Sequence, residues 1–258
     1  MKKIYFASDF HLGSPNKEAS EDRERRILRW LKSIEDDAEA IFLVGDIFDF
    51  WFEYKTVVPK GFIRLLGKLA EFQDKGIDIH FFVGNHDIWM FDYLSNELGI
   101  TIHHHSLEIE LMGKSFFIGH GDGLGPKDYG YKLLRKIFTN RFCQWIFKWI
   151  HPDIGITLAN FSSSKSRNAQ TEPEHYLGSE KEWLLQYSNY KLKEYPHIDY
   201  FIFGHRHLPL DIILDNKHSR YINLGDWFKF NTFVQFDGTE LKIKAFENAD
   251  FNDRSVKH

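Results

Sequence analysis

The 258-residue chain holds one cysteine, Cys143, which excludes an internal disulfide framework and a cysteine-rich zinc module and points to a reducing compartment. No apolar run approaches the ~18 residues of a spanning helix. The apolar start stops at Asp9, short of the ~7–15 residues of a secretory signal core, so a cytoplasmic location is expected. Charge of one sign is also lacking. With 33 basic and 37 acidic residues the net charge is −4, so no nucleic-acid partner is expected, and there is no whole-chain case for an anionic membrane. With only 7 Pro and 18 Gly in a chain that is 43% hydrophobic, dominant disorder is excluded. Two residue classes are abundant: 14 His, and aromatics supplied by 25 Phe, 11 Tyr and 7 Trp.

One pattern recurs five times. A short run of β-branched or aromatic residues ends in a polar cluster: Ile4–Ser8 before Asp9-Phe10-His11, Ile41–Val44 before Gly45-Asp46, Ile79–Val83 before Gly84-Asn85-His86-Asp87, Ser115–Ile118 before Gly119-His120, and Tyr200–Phe203 before Gly204-His205-Arg206-His207. Each run has the length and composition of a buried strand. Helical spacing fills Glu21–Ile34, Phe62–Phe72 and Glu180–Tyr195. Strands alternating with helices predict a layered α/β fold. Ile102–Ile109 and the residues after Met112-Gly113 read as strand, turn, strand, and Phe233–Phe236 with Leu241–Phe246 as a hairpin turning at Asp237-Gly238.

Ligands in layered α/β folds sit beyond the carboxyl ends of strands. The five strand ends carry Asp9, His11, Asp46, Asn85, His120, His205 and His207, with His86 and Asp87 beside them. These are carboxylate, amide and imidazole donors with no thiolate, a set suited to hard and borderline divalent cations. Seven donors exceed the need of one cation, and a shared carboxylate can hold two.

In this order the motifs resemble those of the calcineurin-like metallophosphoesterases. The resemblance implies a four-layer α/β/β/α sandwich. It implies one divalent cation on Asp9, His11, Asp46 and His207, a second on Asp46, Asn85, His120 and His205, and Asp46 as the bridge. It makes His86 the catalytic histidine that protonates the leaving oxygen or stabilises its charge. Asp87 then either orients His86 or has a turn-capping role. A closer resemblance, over nearly the whole chain, is to the UDP-2,3-diacylglucosamine pyrophosphatases of lipid A biosynthesis. It implies Mn²⁺ (with Fe²⁺, Zn²⁺ or Mg²⁺ as alternatives), hydrolysis of the lipid-linked sugar nucleotide to UMP and 2,3-diacylglucosamine 1-phosphate (lipid X) by a water activated between two metals, and a helical lid over the acyl chains. Asn85, Asp128, Ser164, Arg167, Asn168 and His205 then become substrate contacts. Two positions depart from well-known members: His86 replaces an Arg and Thr171 a Lys. Alternatives therefore stand beside this reading: another phosphodiester substrate, or a non-catalytic protein that keeps its metals and binds a lipid or nucleotide.

The chain is expected to be one domain, 1–258, with a helical insert near 126–172. Within it Lys132–Ile150 places Leu134, Phe138, Phe142, Trp145 and Trp149 at helical spacing, among five basic residues and no acidic one. Each of these apolar side chains taken singly is expected to pack the insert onto the body. The segment as a whole suits a lipid or the cytoplasmic face of the inner membrane. His103-His104-His105 is read as a polar strand or loop rather than a metal cluster, His80 as a hydrogen-bonded structural histidine and Cys143 as buried; Asn223–Trp227 either lines the site or merely turns the chain.

Overall fold

The computed structural model describes residues 2–125, 129–158 and 175–248. The strands are β1 (Lys3–Ala7), β2 (Ala38–Val44), β3 (Asp78–Phe82), β4 (Thr101–His103), β5 (Leu107–Leu111), β6 (Lys114–Gly119), β7 (Tyr200–Phe203), β8 (Pro209–Ile213), β9 (Arg220–Leu224), β10 (Thr232–Phe236) and β11 (Leu241–Ala245). They form a six-stranded sheet, β11-β10-β1-β2-β3-β4, and a five-stranded sheet, β5-β6-β7-β9-β8. In the first sheet β1, β2, β3 and β4 run parallel, and in the second β6, β7 and β9 do.

Side-chain alternation assigns the layers. Ile4 and Phe6 of β1, with Phe42 and Val44 of β2, meet Phe116, Ile118, Ile202 and Ile222 of the other sheet. Tyr5, Ala7, Ile41 and Leu43 point the opposite way, onto helices α1 (Lys17–Ile34), α2 (Ile63–Asp74) and α3 (Tyr93–Leu98). On the outer face of the second sheet Phe117, Phe201 and Phe203 pack against Leu184, Leu185 and Leu192 of α7 (Trp183–Glu194). The result is helix, sheet, sheet, helix, as expected.

Two expectations need correction. The run Ile102–Ile109 is not one strand. It breaks at His104-His105-Ser106, so β4 closes the first sheet while β5 opens the second. The helical stretch Lys132–Ile150 is likewise two helices, α4 (Tyr129–Phe138) and α5 (Arg141–Lys148). Asn140 separates them, its side chain accepting from the N–H groups of Phe142 and Cys143 as an N-cap. A further helix, α6, occupies 152–158.

The insert packs less than expected. Phe138, Phe147 and Ile156 reach Phe52 and Trp89 of the body, yet α4 and α5 contain no buried residue. Leu134, Phe142, Trp145 and Trp149 are exposed, and Cys143 is half-buried rather than buried. No helix among the described residues is long and apolar enough to cross a membrane.

Candidate metal centre

All five polar clusters follow the carboxyl ends of parallel strands, β1, β2 and β3 in one sheet and β6 and β7 in the other. The two sheets face each other, so the clusters converge at one rim. Close approach demands glycine there. A Cβ on Gly45, Gly84 or Gly204 would come closer than 3.0 Å to the side chains of His120, Asp46 and Asp9 respectively. The backbone is also strained. Asp9, His11, Asp46, His205 and His207 all hold positive φ, between 43° and 66°, which L-residues other than glycine rarely adopt. Such strain persists only where the surroundings impose it, and here it aims five side chains inward.

Asp9 shows the logic. Its Oδ2 accepts from the Ser8 hydroxyl at 2.5 Å and the His205 N–H at 3.0 Å. Its Oδ1 is fully buried with no hydrogen bond, although His207 Nε2 lies 3.2 Å away and His11 Nε2 3.7 Å. Asp46 accepts the His86 N–H on Oδ1 at 2.9 Å and turns Oδ2 to His120 Nε2 at 3.3 Å and His11 Nε2 at 3.7 Å. Asn85 Oδ1 lies 3.3 Å from His120 Nε2. Three donor groups result, Asp9-His11-His207, His11-Asp46-His86 and Asp46-His120-His205, each with its donor atoms within 4.8 Å of one another. Asp46 belongs to two of them.

The imidazoles are set for ligation. His120 Nδ1 donates to the Val44 carbonyl at 2.9 Å, so Nε2 faces the cluster. Burial pushes His120 and His11 down, but the facing carboxylates more than reverse it. Asp46 holds His120 well above the ordinary histidine range, and Asp49 with Asp9 holds His11 at about 10. Burial pushes Asp46 up, and His120 and His86 beside it overcome that and hold it ionised. Burial and the neighbouring His120 bring His205 down to about 4, so it is a neutral donor. A buried nest of converging lone pairs that draws protons onto two imidazoles is a nest that accepts cations, and the donor set therefore fits divalent metal.

Beyond the donors, the structure decides between the two readings of Asp87 and adds groups that aim the ligands. Asp87 does not orient His86. Both its oxygens go to backbone, Oδ1 to Gly84 N–H at 2.7 Å and Oδ2 to Ile47 N–H at 2.9 Å and Phe48 N–H at 3.3 Å. It pins the loop after β2 to the loop after β3. Burial and Asp46 raise its pKa to about 7. Asp49 takes the orienting place. Its carbonyl accepts from His86 Nδ1 at 3.0 Å, and its Oδ1 lies 3.5 Å from His11 Nδ1 and 3.7 Å from His86 Nδ1. Asp226 lies 3.7 Å from His207 Nδ1 and accepts from the N–H groups of Phe228, Lys229 and Phe230. Buried Arg23 donates to the carbonyls of Phe10, His11 and Ser14, tying α1 to the first metal loop. Asp49 and Arg23 escaped the sequence reading. The Asp46-x-x-Asp49 spacing was the one available signal for Asp49, and Arg23 reads as an ordinary surface helix residue.

His80 and His103 behave as structural groups. His80 stacks on Phe42 and meets His103 Nε2 at 2.9 Å. Asp128, Ser164, Arg167, Asn168 and Thr171 lie outside the described residues.

Residues 2–209 match the family described as calcineurin-like phosphoesterase. A Porphyromonas gingivalis protein named UDP-2,3-diacylglucosamine hydrolase is 39% identical, over 96% of this chain and 99% of its own. A Pseudomonas entomophila protein of the same name is 27% identical, over 95% and 99%. A solved structure from Pyrococcus horikoshii OT3 superposes with a TM-score of 0.50 at 12% identity, covering 97% of this chain and 90% of its own, and speaks to the fold alone. The strained strand-end donors, the four layers and the match over most of the chain lead to one conclusion: the chain belongs to the calcineurin-like phosphoesterase family.

Proposed function

We propose that this protein hydrolyses the pyrophosphate bond of UDP-2,3-diacylglucosamine, releasing UMP and lipid X. The observation that carries this reading is the alignment with a protein of that name over 99% of its length, which takes in the insert as well as the strand ends. Asp9, His11, Asp46 and His207 would hold one cation and Asp46, Asn85, His120 and His205 the other, with Mn²⁺ the proposed metal. When bound, such cations supply positive charge for the phosphate oxygens and lower the pKa of water.

The chain's own groups do the rest. His86 keeps its Nδ1 proton on the Asp49 carbonyl, which leaves Nε2 as the ring atom that can exchange a proton with a leaving oxygen or face its charge. Asn85 and His205 would also touch substrate, as would Asp128, Ser164, Arg167 and Asn168. A cavity of about 810 Å³ supports the lipid end. It lies beside Leu12, Gly13 and Asp49 and is walled by Val57, Val58, Phe62 and Ile156. Such a surface suits acyl chains. Residues 126–172 would act as the lid of a single domain. The exposed apolar face of α4 and α5, with its basic residues, would rest on the cytoplasmic face of the inner membrane.

The test is hydrolysis of UDP-2,3-diacylglucosamine with Mn²⁺ beside a nitrophenyl phosphodiester. Release of UMP and lipid X well above diester cleavage supports the reading. Diester cleavage without lipid X sinks the substrate and favours the alternative that His86, in the place of an Arg, suggests: another phosphodiester.

A further inference from the structure

A second cavity lies near the candidate metal centre and shares no lining residue with the apolar one. The apolar cavity adjoins Leu12, Gly13 and Asp49. The second lies where Val83 and Ile88 flank the Asn85-His86 loop and holds about 520 Å³, within the ~300–1,000 Å³ of small-molecule sites. It adjoins a smaller space of about 130 Å³ that reaches His120 and Asp122, and the two share Val83, His104, His105 and Arg135.

The larger space is cationic. Lys132, Arg135 and Lys136 enter it from one face of α4, three and four residues apart, while His104 and His105 face them from the break after β4. Among the described residues no carboxylate lines it. Like charges at that spacing repel, and the protein does little to neutralise them. Lys132 Nζ donates to the Gly125 carbonyl at 2.9 Å, and Arg135 Nε lies 3.4 Å from Asp122, which also accepts from the Tyr131 hydroxyl. The Lys136 ammonium has no hydrogen bond or ion pair among the described residues. Phe91 supplies a ring to the same wall.

A donor cluster with a largely apolar cavity near it and a separate cationic, ring-bearing one matches a molecule whose two ends differ in the same way. We infer that the cationic cavity receives the nucleoside monophosphate end of the substrate, its phosphate on Lys136 and Arg135 and its planar base among Phe91, His104 and His105. This inference rests on the reading that the substrate is a UDP-linked lipid. It also gives the insert a second duty: α4 supplies the cations that grip the nucleotide.

The experiment is calorimetric titration of the metal-loaded protein with UMP, uridine and inorganic phosphate, for wild type, Lys136→Glu, Lys136→Arg and His105→Ala. UMP is expected to bind more tightly than phosphate or uridine alone. Lys136→Glu is expected to weaken it about tenfold or more, as loss of a charge-assisted contact predicts, with Lys136→Arg close to wild type and His105→Ala between them. Lys136 is exposed, so the folded state is expected to tolerate each change. UMP affinity equal in wild type and Lys136→Glu overturns the inference. Phosphate as tight as UMP overturns the nucleotide assignment and leaves an anion site. The substrate reading fails separately, through wild-type protein that releases no UMP from UDP-2,3-diacylglucosamine. Intact turnover with UMP affinity indifferent to Lys136 sinks this inference alone.

Discussion

Helices α1 and α5 are both amphipathic, and the fold treats them in opposite ways. α1 buries seven residues, Ile27, Trp30, Leu31 and Ile34 among them, against the first sheet. α5 buries none, and Phe142 and Trp145, with Trp149 just beyond, remain 66%, 55% and 77% exposed. A stripe of apolar residues states that a helix face needs a cover, but not what the cover is. For α1 the cover is a sheet of the same chain. For α5 the described cover is slight, Phe147 against Phe52, Tyr54 and Trp89 and Lys148 over the Phe91 ring, and the remaining face is the one proposed above to meet a lipid surface.

Four measurements break or sharpen that contrast. The largest effect belongs to the body. Asp46→Ala removes the carboxylate shared by two donor groups, and hydrolysis is expected to fall about 10³-fold or more, with metal content reduced. Vesicle binding should survive, because the insert is untouched. Metal analysis and a flotation assay read both halves, and a variant that keeps full metal content sinks the assignment.

The second compares burial directly. Leu31→Ala in α1 is expected to cost about 2–5 kcal/mol in denaturant unfolding. Trp145→Ser in the insert should stay within about 0.5 kcal/mol while lowering affinity for anionic vesicles. Equal costs would mean that the insert packs as a core helix after all. The third concerns orientation. Asp49→Asn leaves every donor, and the carbonyl that holds His86, in place but removes the carboxylate charge beside His11, so metal affinity or turnover should drop about 10–100-fold. An unchanged metal titration would return Asp49 to a purely structural role.

The smallest effect is a pH dependence away from the metal centre. Burial, with His80 and His104 nearby, lowers the pKa of His103 to about 4 in the folded protein from 6.5. Its folded form resists protonation, so its contribution to stability is complete above about pH 6.5 and is lost as pH falls through about 4. Because His103 is half-exposed, the effect is small. His103→Gln should flatten the slope of Tm against pH in that window, and an unaltered slope would remove the histidine as its cause.

The candidate donors were legible because each follows directly on a strand, and strand runs carry their own composition. Parallel strands in facing sheets then had to bring Asp9, Asp46, Asn85, His120 and His207 to one rim. Asp49, Asp226 and Arg23 were not legible in the same way. Their partners lie on other loops, and a carboxylate beside a ligand motif reads equally as a turn residue. Asp87 shows the converse. Adjacency to His86 suggested that it orients the ring, yet its oxygens are used by three backbone N–H groups, two of them some 40 residues away in sequence. The split of Ile102–Ile109 into two sheets was hidden because both halves satisfy strand composition, and only sheet edges decide where the chain crosses over.

By itself the sequence determined the layers, the strand ends and the donor chemistry, since residue type and period suffice to say which faces are apolar and which atoms can ligate. The tertiary structure decided which groups aim the donors, that the insert breaks at Asn140 and leaves its aromatic face outward, and that a cationic cavity forms apart from the apolar one. Each of these depends on distances between segments remote in the chain, and local pattern carries no information about those distances.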